Sequence, residues 1–200
     1  MTQHKKVLGI VGSYRRDGYI DQAVTAVLAS ASEQGAHATK LYLADKQIAF
    51  CRNCRHCMQQ PGKARGECTI EDDMSDILDQ IDAADAYVIG APTNFGNANA
   101  LTRCFMERCA VYAYWPWGAP RPEYRNKPLT KRAVVIASSA APGWMGKLFF
   151  DTRAALKAIA KVMGAKTIGS LWVGMANDEH PQLPERARQS ASRLGRKLVA

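Results

Sequence analysis

Four of the six cysteines stand close together in the sequence, where thiols can bind metal or carry out redox chemistry. Cys51, Cys54 and Cys57 are spaced three residues apart in the stretch CRNCRHC, and Cys68 follows after ten intervening residues. The thiolate form of cysteine is both the metal ligand and the reactive nucleophile. These four thiols therefore bind a metal, carry out redox chemistry, or pack as ordinary side chains.

Length and composition limit the class of protein to which the cysteines belong. A chain of 200 residues suits a single α/β domain, predicted here over residues 1–200. No apolar run approaches the roughly 20 residues that span a bilayer. Arg15 and Arg16 interrupt the apolar N-terminal run, and no cleavage site follows, so a signal peptide is not predicted. We expect a cytoplasmic protein without a membrane partner, in which a disulfide framework is disfavoured.

The net charge of +9 suggests an anionic partner. The basic residues are nevertheless scattered, and the densest basic stretch, PERARQSASRLGRK, has the periodicity of a final amphipathic helix. Its predicted core face consists of Ala187, Ala191, Leu194 and Leu198, which leaves the arginines in water. No nucleic-acid partner is expected.

Strand and helix patterns alternate along the chain. Five apolar runs predict strands, at KVLGIV, HATKLYL, DAYVIGAP, RAVVIASS and KTIGSLWVGM. Thr69 and Asp72 predict a capping box before one helix, and another helix is expected from about Asn97 to Tyr112. This alternation predicts a doubly wound α/β domain with a parallel sheet. Ligands then bind beyond the carboxyl ends of the strands, so the loops after strands one, three and four matter most.

The loop after the first strand, GSYRRDGYID, has the composition of an anion site. Gly12, Ser13 and Gly18 form a small turn into a helix, whose first N–H groups and dipole favour phosphate. Arg15 could add a charge-assisted contact. The loop matches neither G-x-G-x-x-G nor the phosphate loop of nucleotide triphosphatases.

Three loops in the same order resemble those of the flavodoxin-like NAD(P)H-dependent FMN reductases, and the resemblance spans nearly the whole chain. The first motif, G-S-x-R-x-x-G, is present at Gly12 to Gly18. The second is the Pro-containing loop and helix APTNFGNANALTRCFMER, and the third is the small-residue loop SSAAPG. The resemblance implies a flavodoxin-like five-stranded parallel sheet in the order 2-1-3-4-5.

The resemblance also implies a cofactor site for FMN. Ser13, Arg15, Gly18 and the backbone of Tyr19 and Ile20 would hold the phosphate. The residues that would flank the isoalloxazine ring are Pro92, Thr93, Asn94, Phe95, Gly96, Ser139, Ala140 and Gly143. NAD(P)H would be the co-substrate, and a small molecule or a protein would accept the electrons. No catalytic acid, base or nucleophile is required, since the cofactor carries the chemistry.

One branch of this family, the iron-sulfur flavoproteins, is similar at the cysteines. By that resemblance Cys51, Cys54, Cys57 and Cys68 would hold a 4Fe-4S cluster, although the gap before Cys68 is longer here than is usual in the branch. Thiolates at three-residue intervals can cap three irons of such a cluster. Zinc and unmetallated thiols stay open as alternatives.

The function predicted first is therefore an FMN-dependent oxidoreductase. An iron-sulfur flavoprotein electron carrier is the first alternative, and an RNA-binding zinc knuckle the second. The Cys-rich loop is expected at about residues 48–69. A Pro-rich aromatic excursion at about 111–128 is expected to be ordered, and to cover the flavin or pack against another subunit of a homodimer or homotetramer. Cys104 and Cys109 are expected to pack in the core.

Overall fold

The computed structural model describes residues 4–200 and shows a parallel sheet between two layers of helices. The strands are β1 (Lys6–Val11), β2 (His37–Tyr42), β3 (Ala86–Asn94), β4 (Asn97–Ala98), β5 (Ala113–Tyr114), β6 (Glu123–Tyr124), β7 (Lys131–Ser138) and β8 (Ala165–Val173). The helices are α1 (Tyr19–Glu33), α2 (Met74–Ala83), α3 (Ala100–Arg108), α4 (Gly143–Phe149), α5 (Thr152–Val162) and α6 (Glu185–Val199). Short 3-10 turns lie at Leu43–Asp45, His56–Met58 and Cys109–Tyr112.

The order of the parallel strands is β2-β1-β3-β7-β8. Since β7 and β8 are the fourth and fifth predicted strands, this confirms the predicted order 2-1-3-4-5 and the flavodoxin-like α/β fold. The short strand β4 pairs with β3 in antiparallel fashion. Strands β5 and β6 form a separate two-stranded sheet.

The central strands are apolar throughout because both faces of the sheet are covered. In β1, Val7 and Val11 pack in a cluster with α1 and α6, whereas Leu8 and Ile10 pack in a cluster with α2, α3 and α5. The final helix contributes to the first cluster through Ala191 and Leu198, with Ala187 and Leu194 at its edge. The predicted core face of that helix is therefore confirmed.

Two details of the predicted helices are wrong. The helix expected to continue to Tyr112 ends at Arg108, and the chain goes on as a 3-10 turn. The predicted capping box at Thr69 and Asp72 does not form, since Asp73 is the N-cap residue of α2 and its side chain makes no cap. The Asp72 carboxylate instead accepts hydrogen bonds from the amides of Ala49 and Met74 and from a buried arginine. Helix α4 and the short strands were not predicted.

The aromatic excursion packs against the Cys-rich loop of its own chain. The Trp115 amide donates to the Met58 carbonyl at 2.9 Å, and the Gly66 amide donates to the Val111 carbonyl at 2.9 Å. Tyr112, at the start of the excursion, is buried. The two segments thus form one layer beside the sheet. Among residues 4–200, no helix is long and apolar enough to cross a bilayer.

Candidate functional site

The loop after β1 is held against β3 and α3 by close backbone contacts. The Gly12 amide donates to the Gly90 carbonyl at 2.8 Å, and the Thr102 hydroxyl donates to the Gly12 carbonyl at 3.2 Å. A Cβ placed on Gly12 would lie 2.1 Å from the Thr102 Oγ1 atom. Only glycine fits here without a shift of its neighbours.

The N-terminus of α1 presents free N–H groups beyond this loop. Its N-cap residue, Gly18, provides no side-chain cap, so the first-turn amides that lack intrahelical partners are available to a ligand. The Ser13 hydroxyl lies nearby in the loop and accepts from the Arg15 amide at 3.1 Å. Tyr19 and Ile20, the first two residues of the helix, are buried. This end of the helix suits a phosphate group.

A buried ion pair braces the same turn. The Asp21 carboxylate accepts from the Asp17 amide at 2.8 Å and from the Lys40 ammonium at 2.8 Å, and the Tyr42 hydroxyl also reaches it. Burial favours the neutral acid, but the hydrogen bonds from Lys40, Asp17 and Tyr42 outweigh it and lower the pKa of Asp21. The carboxylate is therefore ionised and paired at neutral pH.

The segment after β8 also contacts the loop after β1 and the start of α1, which the sequence did not predict. Arg15 donates to the carbonyls of Asp178 and Glu179 at 3.0 and 2.6 Å. The Tyr19 hydroxyl bonds to the Asp178 carboxylate, and this hydrogen bond raises the pKa of Tyr19. A cavity of about 520 Å³ lies between this segment and Arg15 and Arg16. The sequence feature that could have indicated this contact is the acidic pair Asp178 and Glu179, which follows the fifth predicted strand.

The two loops expected to flank a flavin lie side by side. Pro92 in β3 is opposite Ser138 in β7, so residues 92–96 and 139–143 leave neighbouring strands at one edge. Phe95 and Gly96 have positive φ values of 50° and 80°, which turn the chain back into β4 as a hairpin. The Ser139 hydroxyl accepts from the Trp172 indole at 3.2 Å and donates to the Ala141 carbonyl at 3.2 Å. The structure therefore gathers the predicted phosphate and ring residues at the carboxyl edge of the sheet.

Large apolar side chains are exposed on these same segments. Five of them form what we call the edge patch, Phe95, Trp144, Leu148, Phe149 and Met175. Their segments are joined by hydrogen bonds, from the Asp151 amide to the Gly96 carbonyl and from the Met175 amide to the Ala141 carbonyl. Exposed apolar surface of this kind usually marks a binding surface.

The four clustered cysteines lie near one another in the Cys-rich loop. Cys54 is exposed, while Cys51, Cys57 and Cys68 are half-buried. Burial, together with the neighbouring thiols of Cys68, Cys51 and Cys54, raises the pKa of Cys57 to about 11. Within residues 4–200, no three Cys, His, Asp or Glu side chains stand in ligand geometry for a metal ion. The four thiols are nevertheless near enough for Cys51, Cys54 and Cys68 to affect the pKa of Cys57.

Three arginines lie in or beside the Cys-rich loop, and their positive charges bear on whether an anionic group fits there. Among the described residues, the buried side-chain nitrogen and oxygen atoms without a partner are the Nε atoms of Arg55, Arg108 and Arg125. Only Arg108 of these three forms an ion pair in residues 4–200, with Asp72. Burying unpaired cations is costly. A cluster held by four thiolates is an anion, so the surplus of positive charge fits it.

The remaining two cysteines have structural roles. Cys104 and Cys109 are buried, and the Cys104 thiol donates to the Ile48 carbonyl at 3.4 Å. Burial raises the pKa of both thiols. Core packing of these cysteines is confirmed.

Comparison with known proteins places these features in context. A family model described as NADPH-dependent FMN reductase matches residues 5–180. An iron-sulfur flavoprotein of Methanocaldococcus jannaschii is 35% identical over 103 residues, which are 52% of this chain and 51% of the relative. An iron-sulfur flavoprotein of Methanosarcina thermophila is 30% identical over 106 residues, which are 53% of each. The matches thus span about half the length of these curated relatives.

Solved structures show the same fold at low sequence identity. An NAD(P)H:quinone oxidoreductase from Methanothermobacter marburgensis has a TM-score of 0.70 at 16% identity, over 98% of this chain and 100% of that one. An azoreductase from Bacillus anthracis has a TM-score of 0.71 at 15% identity, over 96% and 99%. These likenesses concern the fold.

Proposed function

The chain belongs to the NADPH-dependent FMN reductase family, and from this we propose that it passes electrons from NAD(P)H through bound FMN to a small-molecule or protein acceptor. The observation that carries this proposal is the meeting of three loops at one sheet edge. The uncapped N-terminus of α1 at Gly18 lies at one end of that edge. The loops at Pro92 and Ser139 leave neighbouring strands beside it.

The residues of the chain bind and orient the cofactor, while FMN supplies hydride acceptance and electron transfer when bound. The amides at Gly18, Tyr19 and Ile20 would hold its phosphate, assisted by the buried Ser13. The close contact at Gly12 keeps this loop against β3. The loops at 92–96 and 139–143 would hold the ring system, and the edge patch would keep water from it.

A second candidate function, electron transfer through a 4Fe-4S cluster, is supported by the charges around the Cys-rich loop. Cys51, Cys54, Cys57 and Cys68 would be the ligands, and the three arginines would provide counter-charge. The cluster would exchange single electrons, with a potential set by its surroundings. The names of the curated relatives agree with this candidate.

Substitution at Gly18 tests the phosphate site. A carboxylate there should repel the FMN phosphate, so Gly18→Asp should bind FMN at least tenfold more weakly than Gly18→Ser. A Cβ at this position would lie 3.1 Å from the Arg15 carbonyl oxygen in both variants, so they share this crowding. Gly18→Ser is the matched control, because it adds a neutral cap of similar size. FMN dissociation constants and NAD(P)H oxidation would be measured for both variants. Equal FMN affinity in the two variants would refute this phosphate site.

A further inference from the structure

Arg108 makes a contact that the proposed cofactors do not by themselves account for. Its side chain is 1% exposed, and one of its terminal nitrogens lies 3.6 Å from the Cys68 Sγ atom. Among the side chains of residues 4–200, Arg108 is the one that donates a hydrogen bond to a sulfur of the four clustered cysteines. The guanidinium is thus a buried donor on the Cys68 thiol.

The guanidinium is fixed in this orientation from two sides. Both of its terminal nitrogens donate to the Asp72 carboxylate, one of them at 3.0 Å, and one also donates to the Ala49 carbonyl at 2.9 Å. A bidentate pair of this kind holds both partners in one geometry. Burial favours the neutral acid, yet the hydrogen bonds from Arg108 outweigh it and lower the pKa of Asp72. Asp72 is therefore ionised, and its ion pair holds the Arg108 guanidinium in a defined position at Cys68.

The other two arginines at the Cys-rich loop, buried Arg125 and half-buried Arg55, bond to different atoms. Arg125 donates to the carbonyls of Cys57, Gln60 and Gly62. Arg55 donates to the Trp115 carbonyl. Both arginines therefore shape the loop through its backbone, whereas Arg108 contacts a sulfur.

Solvent also reaches Cys68, through a cavity that Arg108 itself lines. A cavity of about 390 Å³ is lined by Cys68 and Arg108 together with Arg65, Glu67, Met74 and Leu78. Water and hydrogen-bond donors at ligand sulfurs are two of the factors that set the potential of an iron-sulfur cluster. At Cys68 the second factor is supplied by Arg108.

We propose that Arg108 is a positioning residue that holds the Cys68 sulfur and raises the reduction potential of the cluster bound there. The proposal rests on the iron-sulfur form of the proposed function. Reduction adds one electron and thus negative charge to the cluster. A cationic donor at a ligand sulfur stabilises that added charge, which favours the reduced state.

Arg108→Gln tests the proposal through the reduction potential, with Arg103→Gln as the matched control. Arg103 stands on the same helix and is exposed, so its loss changes net charge without touching a cysteine. We expect Arg108→Gln to shift the one-electron reduction equilibrium about tenfold toward the oxidised cluster, equivalent to about 59 mV. Arg103→Gln should leave it unchanged. The potentials would be measured by anaerobic titration followed by electron paramagnetic resonance, with iron and FMN assayed on each sample.

Two further variants keep the test decisive. Arg108→Gln leaves the Asp72 carboxylate buried without a partner and can impair folding, so the double variant Asp72→Asn, Arg108→Gln removes both charges. Loss of the Asp72 carboxylate raises the potential, so this variant should shift in the same direction as Arg108→Gln but by less. Arg108→Lys keeps the positive charge but cannot form the bidentate pair with Asp72, and we expect a smaller shift in the same direction. If the glutamine variants lose iron, the reduction potential of Arg108→Lys is the test. A lowered potential supports the proposal, and an unchanged potential overturns it.

The outcomes separate this inference from the proposed function. A full complement of iron with an unshifted potential in the Arg108 variants overturns the inference and leaves the cluster in place. A wild-type protein that binds FMN without iron overturns both the cluster and the inference, but not the FMN reductase function.

Discussion

Gly12 illustrates how a single missing side chain shapes the loop that we propose holds the FMN phosphate. An added Cβ would lie 2.1 Å from Thr102 Oγ1 and 3.1 Å from the Gly90 carbonyl. Neither atom can move freely, since the Thr102 hydroxyl donates to the Gly12 carbonyl. The loop position therefore depends on glycine at this residue.

We predict that Gly12→Ala lowers the free energy of unfolding by about 2 kcal/mol, the usual cost of overpacking, and weakens FMN binding. Gly143→Ala is the control for stability, because its Cβ would meet its nearest atom at 3.8 Å. Thermal unfolding of both apoproteins measures the difference. Equal melting temperatures would show that the loop can relax around the methyl group.

Asp21 predicts a pH dependence at the same turn. Its folded-state pKa is lowered, so its ion pair with Lys40 stabilises the protein above about pH 4 and is lost as pH falls through the folded-state pKa. We predict that Asp21→Asn costs about 2 kcal/mol at pH 7, and that the gap to the wild type narrows below pH 4. Denaturant unfolding as a function of pH measures this.

Asp45→Asn is the matched control for Asp21, because Asp45 pairs with Arg16 while both side chains are at least half exposed. Exposed pairs contribute little, so that variant should follow the wild-type stability curve. A gap for Asp21→Asn that stays constant from pH 7 to pH 2 would mean that the carboxylate does not act through its charge.

At the scale of elements, the aromatic excursion stabilises the Cys-rich loop. The Arg55 guanidinium is stacked between the rings of Trp115 and Trp117, at 3.9 and 4.2 Å from their centroids. Arg55 itself has a positive φ of 58°. The contact therefore holds a strained residue between two of the predicted cysteine ligands.

We predict that Arg55→Gln speeds amide hydrogen exchange in residues 51–58 about thirtyfold, since two cation–π contacts of roughly 1 kcal/mol each are lost. The exposed neighbour Arg52 supplies the control variant Arg52→Gln, which should exchange like the wild type. Hydrogen exchange followed by mass spectrometry measures both variants. Equal rates in the two variants would contradict a role for the stack.

The regular elements were predictable from the sequence, while much of the site was not. The apolar run at Val7 to Val11 could be recognised because a strand buried on both faces has no polar alternation. The contact of Arg108 with Cys68 joins residues 40 positions apart, and no local pattern encodes it. Similarly, Asp72 matched a capping motif that local spacing favours, but a buried arginine provided the stronger partner.

The predicted loops after strands one, three and four were gathered as expected because the carboxyl ends of parallel strands share one edge. The role of the segment after β8 was missed, since Asp178 reaches Tyr19 only once α1 and β8 have folded. The stacking of Arg55 on two tryptophans was likewise invisible, because it depends on the path of the excursion.

At the scale of the whole molecule, the edge patch requires a cover. Leu148 and Phe149 are about 70% exposed, at 72% and 69%, and both lie on α4 beside the loops proposed to hold the flavin. The predicted homodimer or homotetramer would cover these two side chains.

We predict that the wild-type protein elutes as a dimer or tetramer, and that the double variant Leu148→Glu, Phe149→Glu elutes as a monomer with unchanged thermal stability of each subunit. Light scattering coupled to size exclusion measures the mass. Phe50→Glu is the control, because Phe50 is 76% exposed on the Cys-rich loop instead of the edge patch. A monomeric wild type would contradict this use of the patch.

The measurement that tests the central proposal most directly is the ultraviolet-visible spectrum of protein purified without oxygen, recorded before and after addition of NADPH or NADH. Flavin, iron and zinc would be assayed on the same sample. We predict flavin bands that bleach on reduction, with an additional broad absorbance and about four irons per chain if the cluster is bound. A colourless protein that FMN cannot reconstitute would contradict the account.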